Sequence, residues 1–141
     1  MKEVAFVDTN VFVFGLTQEN CNSKKILELA ETGQIKIITS ELVVRETARV
    51  FARIAGEEEA YYAAKYVLCL AEIIPKRKIF SKILELKGQI KEKDLENLAT
   101  VKQQKITFLV SFDRDYKNFS EYKTPKQFVA ILGIKPEKND Y

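Results

Sequence analysis

The chain is 141 residues long, the size of one domain able to bury about two-thirds of the surface its unfolded form exposes. With 46% apolar and 30% charged residues its composition is ordinary for a globular protein, and apolar runs such as 4–7 and 107–110 fall far short of the roughly 20 residues of a membrane helix. A net charge of +3 tolerates a nucleic-acid partner without demanding one, and the absence of histidine excludes Ser-His-Asp and Cys-His catalysis and histidine-ligated zinc, leaving carboxylates, lysines, hydroxyls or a hard metal ion.

Val4-Ala5-Phe6-Val7 is an unbroken apolar run of strand formers, the mark of a strand buried on both faces in a parallel sheet. Residues 23–31 read as a helix, with Ile26, Leu27, Leu29 and Ala30 on one face, Asn22 or Ser23 as cap and Gly33 as stop. Residues 35–39 form a second strand. Ser40 then caps a helix over 41–55, whose inner stripe is Val43, Val50, Phe51 and Ile54 and whose end is Gly56. Another helix covers 57–70, and Glu72-Ile73-Ile74 is a third strand closed by Pro75. Helices over 78–86 and 94–103 lead to a fourth strand at 106–110, and a polar turn follows over 111–118. Thr124-Pro125 opens a last helix over 126–132, with Pro125 at a first-turn position that needs no donor. Strands alternating with helices imply a parallel sheet with right-handed crossovers and helices on both faces.

No linker or repeat divides residues 1–134, which read as a single domain, and the charged tail 135–141 is expected to fray. Cys21 and Cys69 have no metal-type spacing and are expected to be unpaired, with Cys69 a small core residue. A reducing, cytoplasmic setting follows. No Lys/Arg-flanked apolar stretch opens the chain, so no signal peptide is expected.

In an open parallel sheet, ligands bind outside the carboxyl ends of the strands. Asp8-Thr9-Asn10 follows the first strand, and Ser111-Phe112-Asp113-Arg114-Asp115 follows the fourth. Glu46 lies in the second turn of the helix after strand two, and Asp94 begins the helix that feeds strand four, so both sit near the same rim. Asp8, Glu46, Asp94 and Asp113 can converge there, with Asp115 as a fifth. Each also has a plain structural reading: an Asx-turn for Asp8, a solvated ion pair for Glu46, a helix cap for Asp94, a turn for Asp113 and Asp115. Their conjunction carries the argument. Clustered carboxylates repel and raise one another's pKa unless a cation compensates, and an all-oxygen set without histidine suits Mg²⁺ or Mn²⁺.

These segments, together with the Thr124-Pro125-Lys126-Gln127-Phe128 start of the closing helix, resemble the PIN domain family in order and spacing over about residues 3 to 133. The resemblance implies a three-layer α/β/α fold around a small parallel sheet. It further implies a metal-dependent ribonuclease, often the toxin of a toxin–antitoxin pair and often a homodimer. On the family pattern Asp8, Glu46, Asp94 and Asp113 form the acidic set, Asp115 is an additional acidic position, and Asn10 and Ser111 orient the carboxylates.

The chemistry expected is hydrolysis of phosphodiester bonds in single-stranded or structured RNA, with Mg²⁺ or Mn²⁺ among Asp8, Asp94, Asp113 and Asp115. Glu46 would hold a water or orient the nucleophile. Glu46, Arg49 and Arg53 share a helix face, either as a solvated ion-pair stripe or as an RNA-phosphate track. Tyr61, Tyr62, Tyr66 and Phe80 read as core or dimer contacts. A haloacid-dehalogenase-type phosphatase fits poorly, because Asn10 stands where its second Asp belongs. A phospho-receiver domain also fits poorly, because Asp8 stands alone and Pro75 follows strand three. A catalytically inactive protein-binding module on the same fold is the remaining alternative, and metal binding separates it from the nuclease.

Overall fold

The computed structural model describes residues 2–141, whose five strands form one parallel sheet. They are β1 (Glu3–Val7), β2 (Ile35–Ser40), β3 (Glu72–Ile74), β4 (Phe108–Val110) and β5 (Tyr122–Lys123), in the order β3-β2-β1-β4-β5. The helices are α1 (Thr9–Thr17), α2 (Asn22–Glu31), α3 (Glu41–Ala55), α4 (Glu57–Leu70), α5 (Phe80–Leu86), α6 (Leu95–Gln103) and α7 (Pro125–Ile131).

β1 is the central strand. Ala5 stands between Ile37 of β2 and Phe108 of β4, and Ala5, Phe6 and Val7 are fully buried. A strand covered on both faces has no use for polar alternation, which is why its sequence is a solid apolar run. The chain first steps from β1 outward to β2 and β3, then returns across the sheet to β4. With right-handed crossovers throughout, this reversal puts the α5–α6 connection on the face opposite the earlier helices and makes the sheet the middle of three layers. α5 packs on α6, while α1 packs on α2 and α3, and α2 packs on α7. The reversal also opens a crevice between the carboxyl ends of β1 and β4, the place where such sheets bind ligands.

Several elements differ from the sequence reading. Residues 9–17 form α1, to which the sequence assigned nothing. The run Val11-Phe12-Val13-Phe14 has the composition of a strand, but Asp8 caps it as a helix by accepting from the Thr9 N–H at 2.8 Å. β5 is a two-residue edge strand, too short to show a pattern, and β4 is shorter than the expected 106–110. α5 starts at Phe80, after a 3₁₀ turn at Lys76–Lys78. The buried residues of α3 are Val43, Thr47 and Phe51; Ile54 lies on the same face but stands in the last turn of the helix and is 57% exposed. Cys69 is exposed rather than in the core: the inward face of α4 is Ala60, Ala63 and Val67, and a residue two past Val67 points away. Cys21, not Asn22 or Ser23, caps α2, its Sγ accepting from the Lys24 N–H.

The tail, which the sequence reads as frayed, lies against the start of α2. The buried Asn22 side chain donates to the carbonyls of Glu137 and Asn139 and accepts from the Glu137 N–H at 2.8 Å, while its own N–H donates to the Tyr141 carbonyl. The Tyr141 ring lies 4.5 Å from that of Phe14. Charge along 135–141 says nothing about these contacts, because they are made by backbone and by one aromatic ring.

Candidate functional site

The site begins where β1 ends. The Asp8 N–H donates to the Val110 carbonyl, so the β1–β4 ladder runs up to the carboxylate itself. Asp8 Oδ1 accepts from Thr9 N and from Asn97 Nδ2 (3.3 Å), and Oδ2 accepts from Ser111 Oγ at 2.6 Å. Ser111 Oγ in turn accepts from the Asp113 N–H, and Asp113 Oδ1 accepts from the Asp115 N–H, which folds the segment after β4 into a turn beside Asp8. Thr9 Oγ1 donates to Glu46 Oε1 at 3.1 Å and joins α1 to α3.

Asp94 enters from the opposite wall, in the 3₁₀ turn Glu92–Asp94 that precedes α6. Its side chain makes no capping bond. It accepts instead from Tyr116 OH, and Tyr116 is fully buried although it lies in a segment that reads as a polar turn. Asn97 is held in one orientation: its Oδ1 accepts from Ser40 Oγ at 2.6 Å, leaving its Nδ2 to donate to Asp8 and to Tyr116 OH. Ser40, at the end of β2, also accepts from the Val43 N–H as the α3 cap. One hydrogen-bonded chain thus ties the ends of β1 and β2 to the start of α6.

Asp8, Glu46, Asp94 and Asp113 line a single cleft of about 240 Å³, with Thr9, Asn10, Val50, Lys93 and Asn97. That volume is roughly eight water molecules' worth, enough for a hydrated ion and a phosphate group. Asp115 stands at its edge: one oxygen from each of Asp94, Asp113 and Asp115 lies within 4.8 Å of the others. Asp8 and Glu46 lie outside that tight group, held by their own hydrogen bonds.

Burial is the main force on the carboxyls of Asp8 and Asp94. It pushes Asp8 up to about 6; hydrogen bonds from Ser111 and Thr9 pull the other way, and the charges of Glu46 and Asp94 add to the rise. Burial also raises Asp94, opposed by Lys93. Hydrogen bonds from Lys93 and Lys91 hold Asp115 below the usual carboxylate range. For Lys93, partial burial lowers the ammonium, but hydrogen bonds to Asp113, Asp94 and Asp115 outweigh it and keep it above the usual lysine range.

The other expected residues fare differently. Ser111 orients a carboxylate directly. Asn10 lines the cleft, but among the described residues its side chain makes no hydrogen bond, and it is Asn97 that steadies Asp8. Arg49 and Arg53 are exposed on α3, outside the cleft lining and outside any ion pair among the described residues. Sequence reasoning missed Lys93, Asn97, Thr9 and Tyr116. Asn97 follows Asp94 by three positions, so a shared helical face was the available signal; Lys93, in a charged stretch, carried none. Glu96 is a buried acid that belongs to another job: it accepts from the Leu42 N–H at the start of α3 and lies 3.9 Å from Arg45.

A sequence model of the PIN domain family matches residues 5–122. Three solved structures share the fold at 19% identity. VapBC2 from Rickettsia felis, solved with a promoter DNA fragment, has a TM-score of 0.68, covering 86% of this chain and 98% of that one. A toxin–antitoxin complex from Klebsiella pneumoniae has a TM-score of 0.67, covering 86% and 97%. VapC20 from Mycobacterium tuberculosis, described as a sarcin–ricin-loop-cleaving toxin, has a TM-score of 0.63, covering 81% and 93%. The search against curated proteins finds no significant match.

Proposed function

The chain belongs to the PIN domain family, and from that premise we propose that it is a Mg²⁺- or Mn²⁺-dependent ribonuclease acting as the toxin of a toxin–antitoxin pair. The observation that carries this reading is the convergence of Asp8, Glu46, Asp94 and Asp113 on one cleft, with Asp94, Asp113 and Asp115 close enough to share an ion. The donors are all oxygens, which suits a hard cation, and Asp94, Asp113, Asp115 and Asp8 are the residues that would hold it. A bound divalent ion would supply a water of lowered pKa and neutralise charge building on the phosphoryl oxygens.

The chain's own groups do the positioning. Ser111, Thr9 and Asn97 fix both oxygens of Asp8 toward the cleft, and Tyr116 fixes Asp94. Glu46, anchored by Thr9, faces the same space as an acceptor for a proton from the attacking water. Arg49 and Arg53 extend from the α3 side of the cleft as exposed cations for the flanking RNA phosphates. Residues 1–134 act as one nuclease domain, with the docked tail as part of its surface. The partners in this reading are RNA, an antitoxin protein and a second copy of the chain. Among the described residues no helix is long and apolar enough to cross a membrane, and we place the protein in the cytoplasm.

The test is cleavage of a mixed single-stranded RNA pool in Mn²⁺ beside an EDTA control. Asp8→Asn keeps the shape of the side chain but removes its charge, and is expected to lower the rate by at least about two orders of magnitude. Glu46→Gln falls in the same direction and less far. If Asp8→Asn cuts as fast as the parent, the site is elsewhere and the nuclease reading fails. One observation favours the protein-binding alternative: the Lys93 ammonium already neutralises part of the acidic cluster. A module of that kind shows no metal-dependent cleavage and no gain in melting temperature with Mn²⁺.

A further inference from the structure

Lys93 directly precedes Asp94 on the wall of the cleft. Its Nζ lies 2.8 and 3.0 Å from the two oxygens of Asp94, 2.7 Å from Asp113 Oδ2 and 3.2 Å from Asp115 Oδ2. The three carboxylates that could share an ion therefore share this ammonium instead. A single exposed Lys–carboxylate pair contributes little, because solvent screens it and the side chain is costly to order. Three carboxylates directed at one nitrogen are a different arrangement: without the ammonium, like charges would face one another within 4.8 Å.

Metal–oxygen distances of about 2.0–2.1 Å for Mg²⁺ are shorter than these hydrogen bonds, so an ion gathering the same oxygens would occupy the position the ammonium now holds. Two cations cannot share that position. The Lys93 side chain is 59% exposed and attached by a flexible stem, so it can leave without disturbing the fold, whereas Asp94 is buried and held by Tyr116. Taking the cluster as a divalent-cation site, as the preceding section does, we propose that Lys93 is a tethered counter-cation: it fills the ion position in the metal-free protein, must swing out for Mg²⁺ or Mn²⁺ to enter, and so sets the metal concentration at which the site loads. Lys91, 3.2 Å from Asp115 Oδ2, touches only one carboxylate and cannot take its place.

The experiment is calorimetric titration of the metal-stripped full chain with Mn²⁺ and with Mg²⁺, comparing the parent with Lys93→Met and Lys93→Arg. Lys93→Met keeps the length of the stem and removes the competing charge. It is expected to bind Mn²⁺ about tenfold more tightly or better, the ordinary size of an effect from a residue beside the ligands. Without metal it should melt below the parent, and Mn²⁺ should raise its melting temperature by more than the parent's. Lys93→Arg, which keeps the charge, should stay near the parent. A direct readout needs no variant: the ¹⁵N signal of the Lys93 ammonium, protected by its three partners, should disappear into exchange with water when Mg²⁺ is added. Lys93→Met affinity equal to or weaker than the parent's, or a Lys93 signal that survives Mg²⁺ saturation, overturns the inference and leaves the ion site standing. Binding by neither protein overturns the ion site and the inference together.

Discussion

Asp8 is placed under opposing demands. It caps α1, accepts three hydrogen bonds and is buried beside other acids, and burial wins, with its carboxyl pushed from 3.8 up to about 6. An acid whose folded pKa is raised binds its proton more tightly in the folded state. Its contribution to stability is therefore fully present below pH 3.8 and is lost as the pH rises through about 6. A shift of about two pH units corresponds to about 3 kcal/mol. Asp8→Asn cannot titrate. Metal-free denaturation curves should show the variant gaining on the parent by about this amount between pH 4 and pH 7; parallel curves would show that the carboxylate is not strained by burial. Adding Mn²⁺ should remove the variant's advantage by stabilising the parent selectively. The acids themselves were legible in the sequence, because a strand end advertises its position. Lys93 was not, because Lys-Glu-Lys-Asp at 91–94 is also what an ordinary solvated turn looks like.

Helix α1 sets Asp8 in place and depends on close contact with α2. A Cβ at Gly15 would lie 2.5 Å from Leu27 Cδ1 and 3.1 Å from the Ser23 carbonyl oxygen, so only glycine allows this approach. Gly15→Val should destabilise the protein by about 1–3 kcal/mol, measured by urea unfolding, because packed interiors do not absorb added methyl groups. An unchanged midpoint would mean that the two helices are free to separate. The tail is the second brace at this end. Asn22→Ala removes three side-chain hydrogen bonds that tie the tail to the start of α2, at a cost of about 1–3 kcal/mol. Truncation after residue 134 should cost a similar amount and should not add to Asn22→Ala, since both remove the same contacts. Additive losses would mean that Asn22 has another role. Neither brace shows in the sequence: Gly15 sits in a run that looks like a strand, and the tail looks like solvent-exposed charge.

Several large apolar side chains stand exposed among the described residues. Ile54, Tyr61, Tyr62 and Leu68, on α3 and α4, are each more than half exposed, as is Phe80 on α5. Of the two expected readings of these aromatics, core or dimer contacts, the core one does not hold for Tyr61, Tyr62 and Phe80, because the inward positions are taken by Ala60, Ala63 and Val67 on α4 and by Ile83 and Leu86 on α5. Tyr61 and Tyr62, with ring centroids 5.6 Å apart, form an exposed aromatic pair of the kind that marks an association surface. Sedimentation at micromolar concentration is expected to show a homodimer, and Tyr62→Glu is expected to shift it toward monomer without lowering the melting temperature of the monomeric form. A parent that sediments as a monomer removes the dimer and leaves the acidic cleft intact.

The amino-acid pattern alone determined the alternation of strands and helices, the burial of β1 on both faces and the delivery of Asp8 and Asp113 to the carboxyl edge, since each follows from periodicity and from chain order along a parallel sheet. The lack of histidine, together with two cysteines that have no metal-type spacing, likewise left oxygens as the site's donors. Tertiary structure decided which of these groups meet. β1 and β4 become neighbours only because the chain reverses across the sheet after β3, and Asp8 is then held by Asn97 and Ser111, which are 89 and 103 residues distant in sequence. The choice of Asn97 over Asn10, the burial of Tyr116 and the seat of the Lys93 ammonium among three carboxylates all depend on rotamers selected by that long-range packing. Periodicity reports the face on which a residue lies, but it carries no information about which distant side chain will share its hydrogen bond.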